Sequence, residues 1–378
     1  MTILSEKIHY LSVNNNGLRI ELRSLKSFIL NKFDKKSENY YVVEIGNKAS
    51  IIYLIENKSL LFGLDGLESI KSGYANLIID CCMEPDDGSI ETIYKILVSQ
   101  EKISPSNIIF ITGSIQKDYK TKETASRYNT EPITVISYQW WKEFVQWLQK
   151  KESQISDNVP DYTFLSFNRR LRPHRVAFIN LLYQNNLLSF GKVSASKNDD
   201  CENDFAYQTK KLKHAWPKIY SQIPSTSLSE LYNNILPLYV DVNINDIDNN
   251  LAGILDETEV YYQNTLLSVV METCQNYDDW FFSEKTWKPI LYKHPFILFN
   301  KEFSLQKLRE FGYKTFDNVI DETYDTIVNH EDRLLAIVEE LKRLCNLTYQ
   351  EKVSFKENVK EIVEFNYQKF IRDKKFLY

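Results

Sequence analysis

Cysteine is scarce and unpatterned: there are five in 378 residues, two of them adjacent as Cys81 and Cys82, and none in C-x-x-C spacing. That suggests neither a disulfide framework nor a cysteine-based zinc site, and it fits a reducing compartment. Glycine and proline number only ten each, and no internal repeat or low-complexity tract is present. No run of about eighteen apolar residues occurs. The start, MTILSEKIHYLSVNNNG, lacks a basic segment followed by an apolar one, so a cytoplasmic protein without an integral membrane segment is expected. Excess positive charge is missing too. At a formal net charge of −5, no overall field would gather a polyanion, and nucleic acid would need a local basic patch. Nothing resembles G-x-x-x-x-G-K-[ST], G-x-G-x-x-G or H-E-x-x-H, which removes P-loop kinases, typical dinucleotide oxidoreductases and zincins. His9, His214 and His330 have no metal-ligand spacing, and the D-x-D-like DVNINDID sits in an irregular segment, so no metal is expected.

What is present is an alternation of apolar runs with amphipathic stretches, written twice. In the first half YYVVEIG, ASIIYLIE, ANLIIDCCME, SNIIFITGS and ITVISYQWW read as strands, and SIETIYKILVSQ and WWKEFVQWLQKK as helices. The polar, proline-bearing KESQISDNVPD, residues 151–161, reads as a linker. The pattern then restarts. YTFLSFN, TLLSVVME and HPFILFN read as strands, and VAFINLLYQNNLL, EKTWKPILY, SLQKLREFG and EDRLLAIVEELKRL as helices. Buried runs alternating with helices predict an α/β protein with mostly parallel sheets covered on both faces. Two domains are expected, 1–155 and 156–378. Residues 197–260 carry only weak helical patterns.

Ligands of open α/β sheets sit outside the carboxyl ends of the strands. After YTFLSFN comes RRLRPHR, in which Arg169, Arg170, Arg172 and Arg175 place four guanidinium groups in seven positions directly before a helix. Guanidinium grips phosphate oxygens in pairs and a helix N-terminus favours anions, so a diphosphate is the natural guest. The same residues also read as a solvated basic loop. In FFSEKTWKPILYKHPFILFN, Ser283 is a good N-cap and Glu284 and Lys285 fall in the first turn. Pro289 removes the N–H that would bond the Lys285 carbonyl, which predicts an irregular first turn. Glu284 offers an acceptor for ribose or sugar hydroxyls and Lys285 a donor for phosphate; a plain surface ion pair is the alternative.

The stretch VVMETCQNYDDWFFSEKTWKPILYKHPFILF resembles the donor-site signature of the α1,3-fucosyltransferase family, in which Glu-Asn, a polar loop and Thr-Glu-Lys-x-Trp precede a helix and a Val-Pro-Val strand. Positions 281–321, through LREFGYKTFDNVIDETYD, are also similar to a group of bacterial and viral glycosyltransferase-like sequences. The likeness covers about thirty residues and the arginine loop, and no motif of the first half aligns. It implies a GT-B glycosyltransferase, with two Rossmann-like domains facing across a cleft, the last helix crossing back to the first, and inverting, metal-independent catalysis. No cofactor is implied; a nucleotide-diphosphate sugar is the donor substrate. Carried over, Glu272 and Glu284 would bind donor hydroxyls, Lys285 the diphosphate, and Arg169 or Arg175 the phosphates, with Ser283 beside them. Thr273 stands where that family has Asn, so fucose does not follow.

An inverting transfer also needs a base for the acceptor hydroxyl. Asp80, Glu84, Asp86 and Asp87 lie at a strand end in IIDCCMEPDDG, and Glu84, beside the Pro85 turn, is the expected base; an acidic turn without chemistry is the alternative. His294 and the pair Trp140 and Trp141 read as packing residues. The expected partners are a nucleotide-sugar donor and a glycan or other hydroxyl acceptor. A phage-type DNA base glycosyltransferase and a non-catalytic sugar- or nucleotide-binding protein of the same fold remain open; the acidity of the chain disfavours the first.

Overall fold

The computed structural model describes residues 8–12, 39–44, 66–82, 88–115, 118–148, 152–153, 155, 158–197, 205–240, 258–273 and 279–373 of the chain. It shows an α/β protein with two parallel, Rossmann-like sheets. The first joins β1 (Ile8–Ser12), β2 (Asn39–Glu44), β3 (Ala75–Cys81), β4 (Ile108–Thr112) and β5 (Thr134–Ser137) in that spatial order, every pairing parallel. The second joins β6 (Tyr162–Asn168), β7 (Gly191–Ala195), β8 (Thr265–Met271) and β9 (Phe296–Phe299) in the order β7-β6-β8-β9, again parallel. Parallel strands need crossovers and are covered on both faces, which is why β4, β8 and β9 are buried along their whole length.

The chain divides into two compact units. One comprises residues 1–141, 277–282 and 375–378, the other residues 142–276 and 283–374. The boundary expected at 155 therefore falls inside the second unit. The reason lies in the helix Trp140–Leu148, where buried Lys142 donates to Asp373 Oδ2 at 2.9 Å and Gln146 Nε2 donates to the Asp373 carbonyl at 2.9 Å. These contacts tie 142–148 to the end of the helix Tyr349–Arg372, which also belongs to the second unit.

In the first unit Leu77, Ile79, Ile108 and Phe110 pack with Ile93, Tyr94 and Leu97 of the helix that follows β3. In the second, Trp287 is fully buried, with its ring 5.9 Å from Phe370 and 5.7 Å from Tyr313. Losing such a side chain costs about 3–5 kcal/mol. The stretch DETYD secures the sheet edge: the Leu298 N–H of β9 donates to the Tyr324 hydroxyl at 3.1 Å, and the buried Asp325 carboxylate accepts from the Leu305 and Gln306 amides at 3.0 and 3.1 Å. An edge strand closed this way offers fewer free backbone groups to another chain.

Two strands escape the sequence pattern. β1 (IHYLS) and β7 (GKVSA) are short and weakly apolar, and β7 is held by its pairing with β6 and by a bridge from Ala195 to Leu238. Gly191 opens β7 where a Cβ would lie 2.3 Å from Phe164 Cζ, so only glycine admits that ring. The run ASIIYLIE lies outside the described residues. The weakly patterned segment after β7 holds short helices at Phe205–Ala215, Pro217–Gln222 and Ser225–Glu230. Among the described residues no helix is long and apolar enough to cross a membrane.

Candidate functional site

Strand order in the second sheet runs out from β6 in both directions, to β7 on one side and to β8 and β9 on the other. Such a reversal opens a crevice beyond the carboxyl ends of the two central strands, and open α/β sheets place ligands there. The carboxyl end of β6 leads into Arg169–Arg172 and that of β8 into Glu272 and Thr273. The two stretches singled out by residue type thus flank the one order reversal among the described strands.

Glu272 is fully buried, and its amide extends the β8–β9 ladder by donating to the Phe299 carbonyl at 3.0 Å. Its carboxylate accepts from the Ser283 amide at 2.9 Å, the Ser283 hydroxyl at 2.6 Å, the Thr286 hydroxyl at 2.6 Å and its own neighbour, the Thr273 amide, at 3.2 Å. A buried carboxylate is tolerable only with such a set of donors. Ser283 in turn caps the helix Glu284–Leu291, its Oγ accepting from the Lys285 amide at 3.3 Å. The expected N-cap is present. The irregular first turn is not: the helix runs unbroken through Pro289. Glu272, expected on donor hydroxyls, has both oxygens engaged in holding the start of this helix.

Arg175 likewise points inward. It is 2% exposed, with Nη1 donating to the Arg170 carbonyl at 2.6 Å and Nη2 to the Met271 carbonyl at 2.9 Å. Expected on phosphate, its two terminal amino groups instead brace the arginine loop against the end of β8. His174 works alongside, hydrogen-bonded to the Glu272 backbone and packed between Trp216 and Phe299. Burial, seconded by the Arg175 charge, drives the His174 pKa well below its ordinary value, so the ring is neutral. Arg169 is half-buried and Arg170 exposed, and the Arg169 carbonyl is fixed by the Ser196 hydroxyl at 2.6 Å.

The first turn of the helix is the more open part of the site. Lys285 Nζ lies 2.6 Å from Glu284 Oε1, with the two side chains 23% and 22% exposed. Burial works to raise the Glu284 carboxyl, but Lys285 and Lys288 outweigh it and hold the pKa at about 2. Glu284 is therefore an anion, and an acceptor only, throughout the neutral range. Glu272, Ser283 and the Lys285 amide form one chain of hydrogen bonds, Glu284 pairs with the Lys285 side chain, and Arg175 reaches the carbonyl of Met271, the residue before Glu272. Thr286 and His174 had no role in the sequence reading. The S-E-K-T order could have flagged Thr286, whose hydroxyl follows the cap by three positions and so returns to the same face.

In the first unit Glu84, with Asp86 and Asp87, lies outside the described residues, and so does DVNINDID. Asp80 is described, at the end of β3. It is 4% exposed, its Oδ1 accepting from the Cys82 amide at 3.0 Å, and burial raises its pKa against the opposing hydrogen bonds from Cys82. His294 packs at the entry to β9 as expected, with Nδ1 2.8 Å from the Ser268 hydroxyl and Nε2 2.9 Å from the Thr265 carbonyl. Burial lowers its pKa to about 4. Trp140 is buried against the edge of Trp141, with ring centroids 4.6 Å apart. Among the described residues no three His, Cys, Asp or Glu side chains are grouped to hold a metal ion.

No protein-family model matches the chain, and no curated protein matches it in sequence. Solved structures that resemble it include a DNA-modifying β-glucosyltransferase, at 12% identity and TM-score 0.41 over 96% of each chain. The N-terminal domain of Candida albicans trehalose-6-phosphate phosphatase is similar at 12% identity and TM-score 0.42, covering 98% of this chain and 96% of that one. The trehalose-6-phosphate synthase OtsA is similar at 9% identity and TM-score 0.42, over 95% and 96%. Likenesses this distant transfer neither substrates nor residue roles.

Proposed function

We propose that this chain is a glycosyltransferase that binds a nucleotide-diphosphate sugar at the carboxyl edge of its second sheet and transfers the sugar, with inversion and without a metal, to a hydroxyl of a glycan or glycoconjugate. The observation that carries the reading is the conjunction at the β6/β8 reversal: an arginine-rich loop on one strand end and a Glu272-held helix start with Glu284 and Lys285 on the other. A helix N-terminus beside cationic side chains suits a diphosphate, and a Glu284 ionised throughout the neutral range suits sugar or ribose hydroxyls. In this reading Lys285 and Arg169 meet the phosphates, while Ser283, Glu272 and Arg175 act by holding them in place.

In the transfer, the acceptor oxygen forms the new bond to the anomeric carbon as the bond from that carbon to the phosphate oxygen breaks. The acceptor proton goes to a carboxylate, for which Glu84 is the proposed base and Asp80 and Asp87 the alternatives. Cations and the helix dipole steady the charge gathering on the departing diphosphate.

The test is a thermal-shift panel of UDP, GDP, CMP and dTDP sugars, followed by turnover with the sugar that binds. A ligand that binds only the folded state raises the melting temperature. No shift with any of them would end the donor-site reading. Binding without turnover over a range of glycan acceptors would identify a binding protein, and turnover or footprinting on DNA would redirect the acceptor assignment to nucleic acid.

A further inference from the structure

Between Phe205 and Ser229 the chain holds four lysines and a histidine and no aspartate or glutamate, although acids outnumber lysines and arginines by 51 to 46 over the whole chain. Most of these cations fall on the helix Phe205–Ala215, in the second unit. Its buried positions are Phe205, Gln208 and Leu212, three and four residues apart, and Trp216 continues that stripe. Tyr207, Lys210, Lys211, Lys213 and His214 are exposed and occupy the remaining arc of the helix. Among the described residues Lys210, Lys211 and Lys213 form no ion pair, whereas Lys218, beyond the helix, is held by Asp332. Lys211 Nζ stands 4.5 Å from the centre of the Tyr207 ring, which is 40% exposed.

The helix dipole accounts for part of this pattern. Lys213 and His214 lie in the last turn, where positive charge is favoured. Asp199, Asp200, Glu202 and Asp204 precede the helix in sequence, outside the described residues, where negative charge is favoured. Lys210 and Lys211 stand before the last turn, and the dipole gives no reason for them. The character of the face narrows the partner. Its apolar stripe is already buried in the core, so the helix has no apolar side to lay into the groove of another protein. Its cations are lysines, point charges without the planar fork by which arginine grips phosphate oxygens in pairs. Their long stems let the ammonium groups settle among polar headgroups, and a tyrosine ring, apolar in body and polar at the tip, suits the membrane–water boundary. We propose that the solvent face of the helix Phe205–Ala215 docks on an anionic lipid surface, with Lys210, Lys211 and Lys213 supplying the attraction and Tyr207 lying at headgroup level. The contact is peripheral and electrostatic. It does not rest on the nucleotide-sugar reading, and its test needs no nucleotide.

The experiment is co-sedimentation of the full chain with vesicles of phosphatidylcholine alone and of phosphatidylcholine and phosphatidylglycerol in equal parts. The wild type binds the mixed vesicles and not the neutral ones, and added salt releases it. A lysine near an anionic surface contributes about 1 kcal/mol, or about fivefold in partition coefficient, so the combined Lys210→Gln, Lys211→Gln and Lys213→Gln variant binds about a hundredfold more weakly. Arginine at the same three positions retains binding. A second triple variant, Lys95→Gln, Lys102→Gln and Lys122→Gln, removes the same net charge from exposed positions of the first unit and binds as the wild type does. No binding of the wild type to the mixed vesicles, or an equal loss in the two glutamine variants, overturns the proposal. Binding to a DNA duplex more tightly than to the mixed vesicles, lost in the first glutamine variant, also overturns it and makes nucleic acid the partner of this face.

Discussion

The two sheets use the same parallel pairing but differ in strand order, and the difference separates their chemistry. The described strands of the first follow the chain, β1 to β5, without reversal. Its candidate chemistry rests on one buried carboxyl, Asp80, and on the acids that follow it. The second reverses at β6, and on either side of that reversal the side chains have clear duties: Arg175 and His174 brace, Glu272 holds the Ser283 cap, and Glu284 and Lys285 stay partly open. A reversed order leaves a gap at the strand ends that a ligand can enter, whereas a sequential order must rely on its loops. The donor assignment is thus supported by topology and residue type together, and the base assignment by residue type alone.

Four measurements sharpen or break this contrast. The largest effect is expected in the first unit: Glu84→Gln keeps shape but not basicity, and kcat falls by about 10² to 10⁴ while donor affinity survives. An unchanged kcat in a chemistry-limited step, with a loss in Asp80→Asn instead, moves the base to Asp80. Next comes Glu272→Ala in the second unit. It strands the Ser283 and Thr286 hydroxyls and the Ser283 amide, each at about 1–3 kcal/mol, so urea unfolding shows about 3–5 kcal/mol less stability after partial relaxation. Loss of nucleotide binding at full stability would show instead that Glu272 meets the ligand directly. Third, Lys285→Ala weakens nucleotide-diphosphate binding by about 1.5–3 kcal/mol by calorimetry, with little change in melting temperature because the Lys285–Glu284 pair is near the surface.

The smallest effect is a pH dependence at the opposite end of the second sheet. His294 has a folded pKa of about 4 against an ordinary value near 6.5, so it favours folding while neutral, and that contribution is lost as pH falls from 6.5 toward 4. At pH 5 the loss is about 2 kcal/mol, read as a lower urea midpoint than at pH 7. His174 is shifted in the same direction, so His294→Gln reduces the slope and a further His174→Gln reduces it again. A slope identical in the wild type and both variants would show that neither ring is held neutral.

Most strands were legible because parallel, doubly covered strands are continuous apolar runs: β3, β4, β6, β8 and β9 lie where ANLIIDCC, SNIIFITGS, YTFLSFN, TLLSVVME and HPFILFN place them. β7 was not, since GKVSA has no such run and depends on β6 for its pairing. In the candidate site, residue type singled out the arginine loop, Glu272 and Ser283–Lys285, which lie after the carboxyl ends of β6 and β8. It could not tell which charges face inward. Arg175 and Arg169 look alike in sequence, yet Arg175 has its two terminal amino groups on backbone carbonyls because it sits in the first turn of the buried helix Pro173–Gln184, within reach of the end of β8.

By itself, then, the sequence determined the α/β class, the double alternation of strands and helices and the cap at Ser283, because apolar period and capping chemistry act over a few residues. The tertiary structure alone decided the reversal of strand order at β6, the inward turn of Glu272 and Arg175, and the return of residues 277–282 to the first unit. Each depends on contacts between segments widely separated along the chain, and the direction of a side chain there is set by which partner lies across from it, a quantity no local pattern contains.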